Sequence, residues 1–174
     1  MSLHDPVLLL DFDGVLHPDH VYRTPDGRIV LKREGLSLFA WAPQLESVLG
    51  DFPEVGIVLS TSWVSALGFE AARDALPGGL RERVSGSTMD ALHAMPRSTA
   101  KWKALARWKR MQRADQILRY VEARGLARWV AVDDDVTTWP EAWEHRLVRC
   151  DPDLGLSDKA TSDALRIALG KLHG

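Results

Sequence analysis

The sequence predicts a layered α/β domain around a central, mainly parallel sheet. Three observations point there. The runs Val7-Leu8-Leu9-Leu10, Val55-Gly56-Ile57-Val58-Leu59 and Trp129-Val130-Ala131-Val132 have the length and branched apolar character of buried strands. Segments with helical patterning separate them. Each run ends in groups able to do chemistry: Asp11-Phe12-Asp13-Gly14, then Ser60-Thr61-Ser62-Trp63, then Asp133-Asp134-Asp135. Open α/β sheets collect their functional groups beyond the carboxyl ends of the strands.

Residues 7–11 read as the first strand. Residues 17–33 are polar, with Pro18, Pro25 and Asp26-Gly27 as turn signals, and predict a small hairpin flap with Gly27 in its turn. Residues 36–49 read as a helix and 55–60 as the second strand. A helix over 65–75 is stopped by Pro77-Gly78-Gly79, and a short strand follows near Arg83 and Val84. Helices are expected at 101–109 and 114–124, with Gly125 as the stop. The last strands are 129–133 and 146–150. A closing helix covers 157–172, with Ser157 as its cap. No repeat, low-complexity tract or linker interrupts the pattern, so residues 1–174 read as one domain.

Composition narrows the class. A chain of 174 residues with 45% apolar content can bury a proper core. A net charge of −2 creates no global field for polyanions. The single cysteine, Cys150, excludes an intrachain disulfide, suits a reducing compartment and reads as a small buried residue. The N-terminus has no basic leader region, and Asp11 breaks its apolar stretch. Neither a signal peptide nor a membrane span is expected, and a cytoplasmic location is the default.

Burying unpaired carboxylates is costly, so Asp11 and Asp13 are not core residues. Side chains alternate along a strand, which aims both the same way if the strand continues, and Gly14 eases a bend after them. One carboxylate is then placed to attack and the other to move a proton. The competing reading is a turn with two solvated acids. Hydroxyls and free backbone N–H groups after the second strand suit phosphate oxygens. Carboxylates after the third suit Mg²⁺, which prefers hard oxygen ligands.

Together these segments resemble the haloacid dehalogenase-like (HAD) superfamily of phosphohydrolases. Asp11-Phe12-Asp13-Gly14-Val15 is similar to the family's DxDx(T/V) first motif, Leu59-Ser60-Thr61-Ser62 to its second and Val132-Asp133-Asp134 to its fourth. The resemblance implies a three-layer Rossmann-like domain with at most a small flap as cap. It implies that Asp11 forms an aspartyl-phosphate and that Asp13 protonates the leaving oxygen and then activates water. It places Mg²⁺ on Asp11, the Asp13 carbonyl, Asp134 and Asp133, and the phosphoryl group on Thr61, with Ser62 or Ser60 nearby. A second acid at Asp13 argues against dehalogenation, because a halide leaving group needs no proton. For the third motif, a cation, Arg113 is favoured, with Lys109 and then Arg110 as alternatives. Each taken singly also reads as a solvated surface charge.

The seven tryptophans and one basic segment bear on the substrate. Core packing is expected for Trp41, Trp129 and Trp143. Trp63 and Trp139 flank the motifs, where packing competes with contact to a substrate base. Residues 101–113 are basic without an acid, and Trp102, Leu105 and Trp108 recur at helical spacing. A scaffold helix with a solvated face ranks ahead of a nucleic-acid contact, and a membrane-surface helix comes last. His17 and His20 read as turn residues of the flap. The reading is a Mg²⁺-dependent phosphomonoesterase, with nucleotides or nucleic-acid ends as first candidate substrates. The alternatives are a phosphotransferase and a non-catalytic nucleic-acid-binding or regulatory protein that retains the metal pocket. The oligomeric state is open.

Overall fold

The computed structural model describes residues 5–172. The chain runs β1 (Val7–Leu10), β2 (Val21–Arg23), β3 (Ile29–Leu31), α1 (Ala42–Gly50), β4 (Gly56–Leu59), α2 (Ser62–Leu67), α3 (Phe69–Asp74), α4 (Gly78–Arg81), β5 (Val84–Ser87), α5 (Asp90–Ala94), α6 (Thr99–Trp108), α7 (Arg113–Arg124), β6 (Trp129–Asp133), β7 (Leu147–Arg149) and α8 (Lys159–Gly170). Five strands form one parallel sheet in the order β5-β4-β1-β6-β7.

β1 is the central strand, and all four of its residues are buried. A strand covered on both faces has no solvent side, which explains its unbroken apolar run. Alternation divides the core in two. Leu8 and Leu10 pack with Ile57, Leu59, Val130 and Val132 against Leu45 of α1 and Leu165 and Leu169 of α8. Val7 and Leu9 face the other way, with Val58, Trp129 and Ala131, against Ile117 and Val121 of α7. Helices therefore cover both faces, and the chain adopts the three-layer Rossmann-like α/β architecture expected of it.

Register positions the site. Leu10 pairs with Leu59 on one side and Val132 on the other. Asp11, Ser60 and Asp133 therefore emerge side by side at one edge of the sheet. Between β1 and α1, β2 and β3 form an antiparallel hairpin, with Gly27 at φ 88° in the turn.

Several boundaries differ from expectation for identifiable reasons. The helix expected at 36–49 begins only at Ala42. Phe39 has φ 60°, and the Trp41 N–H is tied to the Leu16 carbonyl, so 36–41 cannot continue a helix. The helix expected at 65–75 is two helices, α2 and α3, split at Gly68 with φ 91°. The closing helix is capped by Asp158, whose carboxylate accepts from the Ala160 and Thr161 N–H groups. Ser157 instead lies in a 3₁₀ turn, and its hydroxyl donates to the Leu154 carbonyl. Trp41 and Trp129 are core, but Trp143 is 37% exposed, because it sits in the 3₁₀ segment Glu141–Arg146 above Trp129. Trp102 is 65% exposed, and only Leu105 and Trp108 of its set lean on the core. No helix among the described residues is long and apolar enough to cross a membrane.

Candidate functional site

Asp11 is buried where β1 ends. One carboxylate oxygen accepts from the Phe12 N–H at 2.8 Å, and the other from Arg113 Nη2 at 3.1 Å. Asp133 is fully buried at the end of β6. Its Oδ1 accepts from the Asp135 N–H at 2.9 Å. Its Oδ2 lies 3.3 Å from Arg113 Nε, an ion pair whose angles do not make a hydrogen bond, so that oxygen has no hydrogen-bond donor.

Arg113 is the first residue of α7, and its guanidinium spans three partners. It meets Asp11, Asp133 and the Ser60 carbonyl. The start of α7 is braced by Gln116, whose amide donates to the Trp108 and Met111 carbonyls at 3.0 and 3.3 Å. Burial disfavours the Arg113 charge, but Asp11, Asp133, Asp135 and Asp134 outweigh it and push its pKa up. Lys109 and Arg110, the alternatives, are exposed; Lys109 stands on the rim of the adjoining cleft.

Asp134 reaches the same point from β6. It fits because residue 14 is glycine. A Cβ on Gly14 would stand 2.4 Å from Asp134 Oδ2, and Gly14 has φ 69°, which a side chain disfavours. Asp11, Asp133 and Asp134 each offer an oxygen, and these atoms lie within 4.8 Å of one another. Opposite ligands of an octahedral Mg²⁺ stand roughly 4 Å apart. The donors are all hard carboxylate oxygens, and Asp133 carries a buried oxygen, Oδ2, that lacks a hydrogen bond. The residues present therefore fit a small divalent cation.

The electrostatics agree. Burial, then the neighbouring carboxylates, raises the pKa of Asp134 to about 7. Burial raises Asp11 and raises Asp133 well above the usual carboxylate range, partly opposed by Arg113. Three acids so crowded are costly to ionise without a cation. This sets a sign for stability. Asp134 ionises at 3.8 in the unfolded chain and near 7 in the fold, so between those values the native state holds more protons. Stability without metal is then expected to fall as pH rises through that window. Added Mg²⁺ is expected to raise Tm, and by more at pH 8 than at pH 5. Thermal scans in EDTA and in Mg²⁺ at both pH values check this; a metal response equal at the two would contradict it.

Asp13 does not join the three converging carboxylates. Its Oδ1 accepts from Trp63 Nε1 at 2.9 Å and contacts His17 Nε2 at 3.1 Å. Its Oδ2 accepts more weakly from Ser62 Oγ at 3.4 Å. The Phe39 N–H donates to His17 Nδ1 at 3.2 Å, which leaves Nε2 as the donor toward Asp13. Phe12, Phe39, His17 and Trp63 pack edge to face beneath the carboxylate. Phe39 at positive φ is where the backbone bends to present that N–H.

Thr61 is buried at the end of β4 and caps α2, and its hydroxyl favours the charged form of Asp11. Ser62 is exposed. Thr61, Ser62, Lys109 and Arg113 line a cleft of about 170 Å³ at this edge. Trp139 is buried beside α7, its N–H donates to the Trp143 carbonyl, and it does not line that cleft. His20 pairs at the surface with Asp153. His17 is a correction: it is fully buried at Asp13, not a turn residue of the flap. Sequence reasoning missed its role and the Trp63 contact to Asp13. A histidine four residues after Asp13 was the available signal. Cys150 is buried, as expected, and burial pushes its thiol pKa up.

A model of the family described as the HAD domain in Swiss Army Knife RNA repair proteins matches residues 7–161. No curated protein and no solved structure matches the chain. The match begins at β1, extends past Asp133-Asp134-Asp135 and ends inside α8, so it takes in every strand of the sheet and all the converging carboxylates. The chain belongs to the haloacid dehalogenase-like superfamily, in the family of HAD domains from Swiss Army Knife RNA repair proteins.

Proposed function

We propose that this chain is a Mg²⁺-dependent phosphomonoesterase that removes a terminal phosphate from a nucleic-acid end, RNA before DNA. The observation that carries it is the convergence of Asp11, Asp133 and Asp134 on one point, with Arg113 bridging the first two. The family's origin in RNA repair proteins supports the substrate class.

An Asp11 carboxylate oxygen attacks phosphorus, and the bond from phosphorus to the leaving ester oxygen breaks. Asp13 gives that oxygen its proton. Water then attacks phosphorus, Asp13 takes the water's proton, and the bond to Asp11 breaks to free phosphate and carboxylate. General acid help of this kind contributes about a hundredfold to ten-thousandfold. Arg113 neutralises Asp11 and the phosphoryl oxygens, and it binds two oxygens at once as lysine cannot. Thr61 and Ser62 donate to the phosphoryl group. When bound, Mg²⁺ supplies charge neutralisation between nucleophile and phosphate, held by Asp11, Asp133, Asp134 and the Asp13 carbonyl.

His17 and Trp63 act as positioning residues. Both aim at Oδ1 of Asp13, so the proton is carried on Oδ2, on the Ser62 side. The hairpin is small, two strands of three residues each, and none of them lines the cleft, which suits a site open to the end of a polymer.

The test is phosphate release from 5′- and 3′-phosphorylated oligoribonucleotides, with Mg²⁺ and with EDTA. Release that requires Mg²⁺ is expected from one of the two ends. No release from either, under conditions where the protein is folded, overturns the reading. Transfer to added glycerol in place of water would mark a phosphotransferase.

A further inference from the structure

We propose that the hollow between α5, α6 and α7 is a nucleoside subsite, which takes the base next to the scissile phosphate and the following phosphodiester; this rests on the phosphatase reading above. The hollow has a volume of about 500 Å³, within the usual size of a ligand pocket. It shares Thr88, Trp108 and Met111 with the cleft that holds Thr61 and Arg113. The two spaces thus adjoin at the same three residues. Thr88 directly follows β5, and its N–H donates to the Leu59 carbonyl at 2.9 Å. The subsite therefore opens at the same carboxyl edge of the sheet as the motifs.

The lining has two kinds of chemistry. Leu92, Ala104, the half-buried Trp108 and the buried Tyr120 give an apolar wall with two aromatic rings, and Arg124 stands over the second. Arg107 and Arg119 are exposed on the lining and have no side-chain ion pair or hydrogen bond among the described residues. Arg124, also on the lining, is already held by Asp90 at 3.3 Å. Glu122 is the one acid on the lining, so the cations are in excess. A flat apolar wall beside unpaired guanidiniums matches a base and a phosphodiester. Every base has a π face to stack, and arginine binds phosphate oxygens in pairs. A sugar phosphate would leave the aromatic wall unused. The basic helix α6 gains a purpose that scaffolding does not supply: it buries no residue fully, yet brings Arg107 and Trp108 to this edge.

The experiment uses two readouts. A labelled, terminally phosphorylated oligoribonucleotide is titrated onto the full chain carrying Asp11→Asn, which prevents turnover, and binding is followed by fluorescence anisotropy across salt. Hydrolysis of acetyl phosphate, which has no base and no phosphodiester, is followed with the wild-type chain. Adding Arg107→Ala and Arg119→Ala is expected to weaken oligonucleotide binding by roughly tenfold or more and to flatten the salt slope by about one to two. Trp108→Ala is expected to weaken binding by roughly tenfold when the terminal nucleotide carries a base and little when it is abasic, and Trp108→Phe restores most of the loss. Unchanged affinity in the double-arginine variant overturns the subsite. Equal weakening of base-bearing and abasic ends by Trp108→Ala also overturns it, because packing alone then explains the residue. If the oligonucleotide effects hold while the wild-type chain releases phosphate from neither acetyl phosphate nor the phosphorylated oligonucleotide, the subsite stands and the phosphatase reading falls. If acetyl phosphate is hydrolysed and the binding effects are absent, the reverse is true.

Discussion

Asp11→Asn is expected to lower the rate of phosphate release by at least about a thousandfold without unfolding the protein. An amide oxygen is a far weaker nucleophile than a carboxylate, and removing a group that acts as part of one catalytic unit forfeits most of the unit's effect. The fold is expected to survive for an electrostatic reason. Burial and the neighbouring Asp13 raise the pKa of Asp11, so its charge is held in place at a cost. Arg113 keeps Asp133 and the Ser60 carbonyl after the change. Tm in EDTA should therefore hold or rise, while the gain in Tm from Mg²⁺ should shrink because one of the three converging carboxylates has lost its charge. Rates on a phosphorylated oligonucleotide, together with thermal scans, read both effects. Wild-type turnover by the variant would remove Asp11 from the chemistry.

The sheet was legible because its strands bear the pattern that burial demands. Residues 7–10 are apolar on both faces, and the same holds for 129–132, so strand assignment needed no knowledge of partners. The emergence of Asp11, Ser60 and Asp133 on one edge then followed from parallel order. Register carried the rest: Leu10 opposite both Leu59 and Val132 could not be read from the chain. Helix ends were legible only where a local signal governs them. Gly125 takes φ 59° and stops α7, as a glycine in that place should. The start of α1 instead depends on a tertiary hydrogen bond from Trp41 to Leu16, 25 positions away by number, and no local pattern encodes it.

The surroundings of Asp13 were hidden for the same reason. Trp63 lies 50 positions from Asp13, and Phe39 lies 22 from His17. Their meeting depends on how β1, β4 and the loop before α1 stack. Next to a serine–threonine segment, a tryptophan suggests either packing or a substrate face. The structure uses Trp63 for packing and for a hydrogen bond at once: it is buried, and its one polar atom is spent on the carboxylate. Gly14 shows the complementary case. Its place after two acids suggested a bend, whereas the structure adds a second demand, room for Asp134.

Arg113→Met is the substitution expected to cost most stability, and the loss should depend on pH. Methionine keeps much of the side-chain length but leaves Asp11 and Asp133 buried without their shared cation. Breaking a buried pair by removing one partner costs about 3–5 kcal/mol. For a chain of this size each kcal/mol moves Tm by roughly 2–4 °C, so a fall of roughly 6–20 °C is expected at pH 8. Burial already lifts both acids, and losing Arg113 lifts them further, because it is the nearby charge that opposes their protonation. Groups with raised folded pKa weaken the fold as pH climbs above their unfolded values. Lower pH favours protonation of both acids in the variant, so its deficit relative to wild type should be smaller at pH 5 than at pH 8. Mg²⁺ should recover part of the loss at pH 8 by replacing one cation with another, yet phosphate release should stay low, since Mg²⁺ cannot supply the paired donors of a guanidinium. Lys109→Ala, on the exposed rim, should show neither the pH-dependent Tm loss nor the Mg²⁺ rescue. A deficit for Arg113→Met that is equal at pH 5 and pH 8 would mean that lost packing, and not the unpaired carboxylates, sets its size.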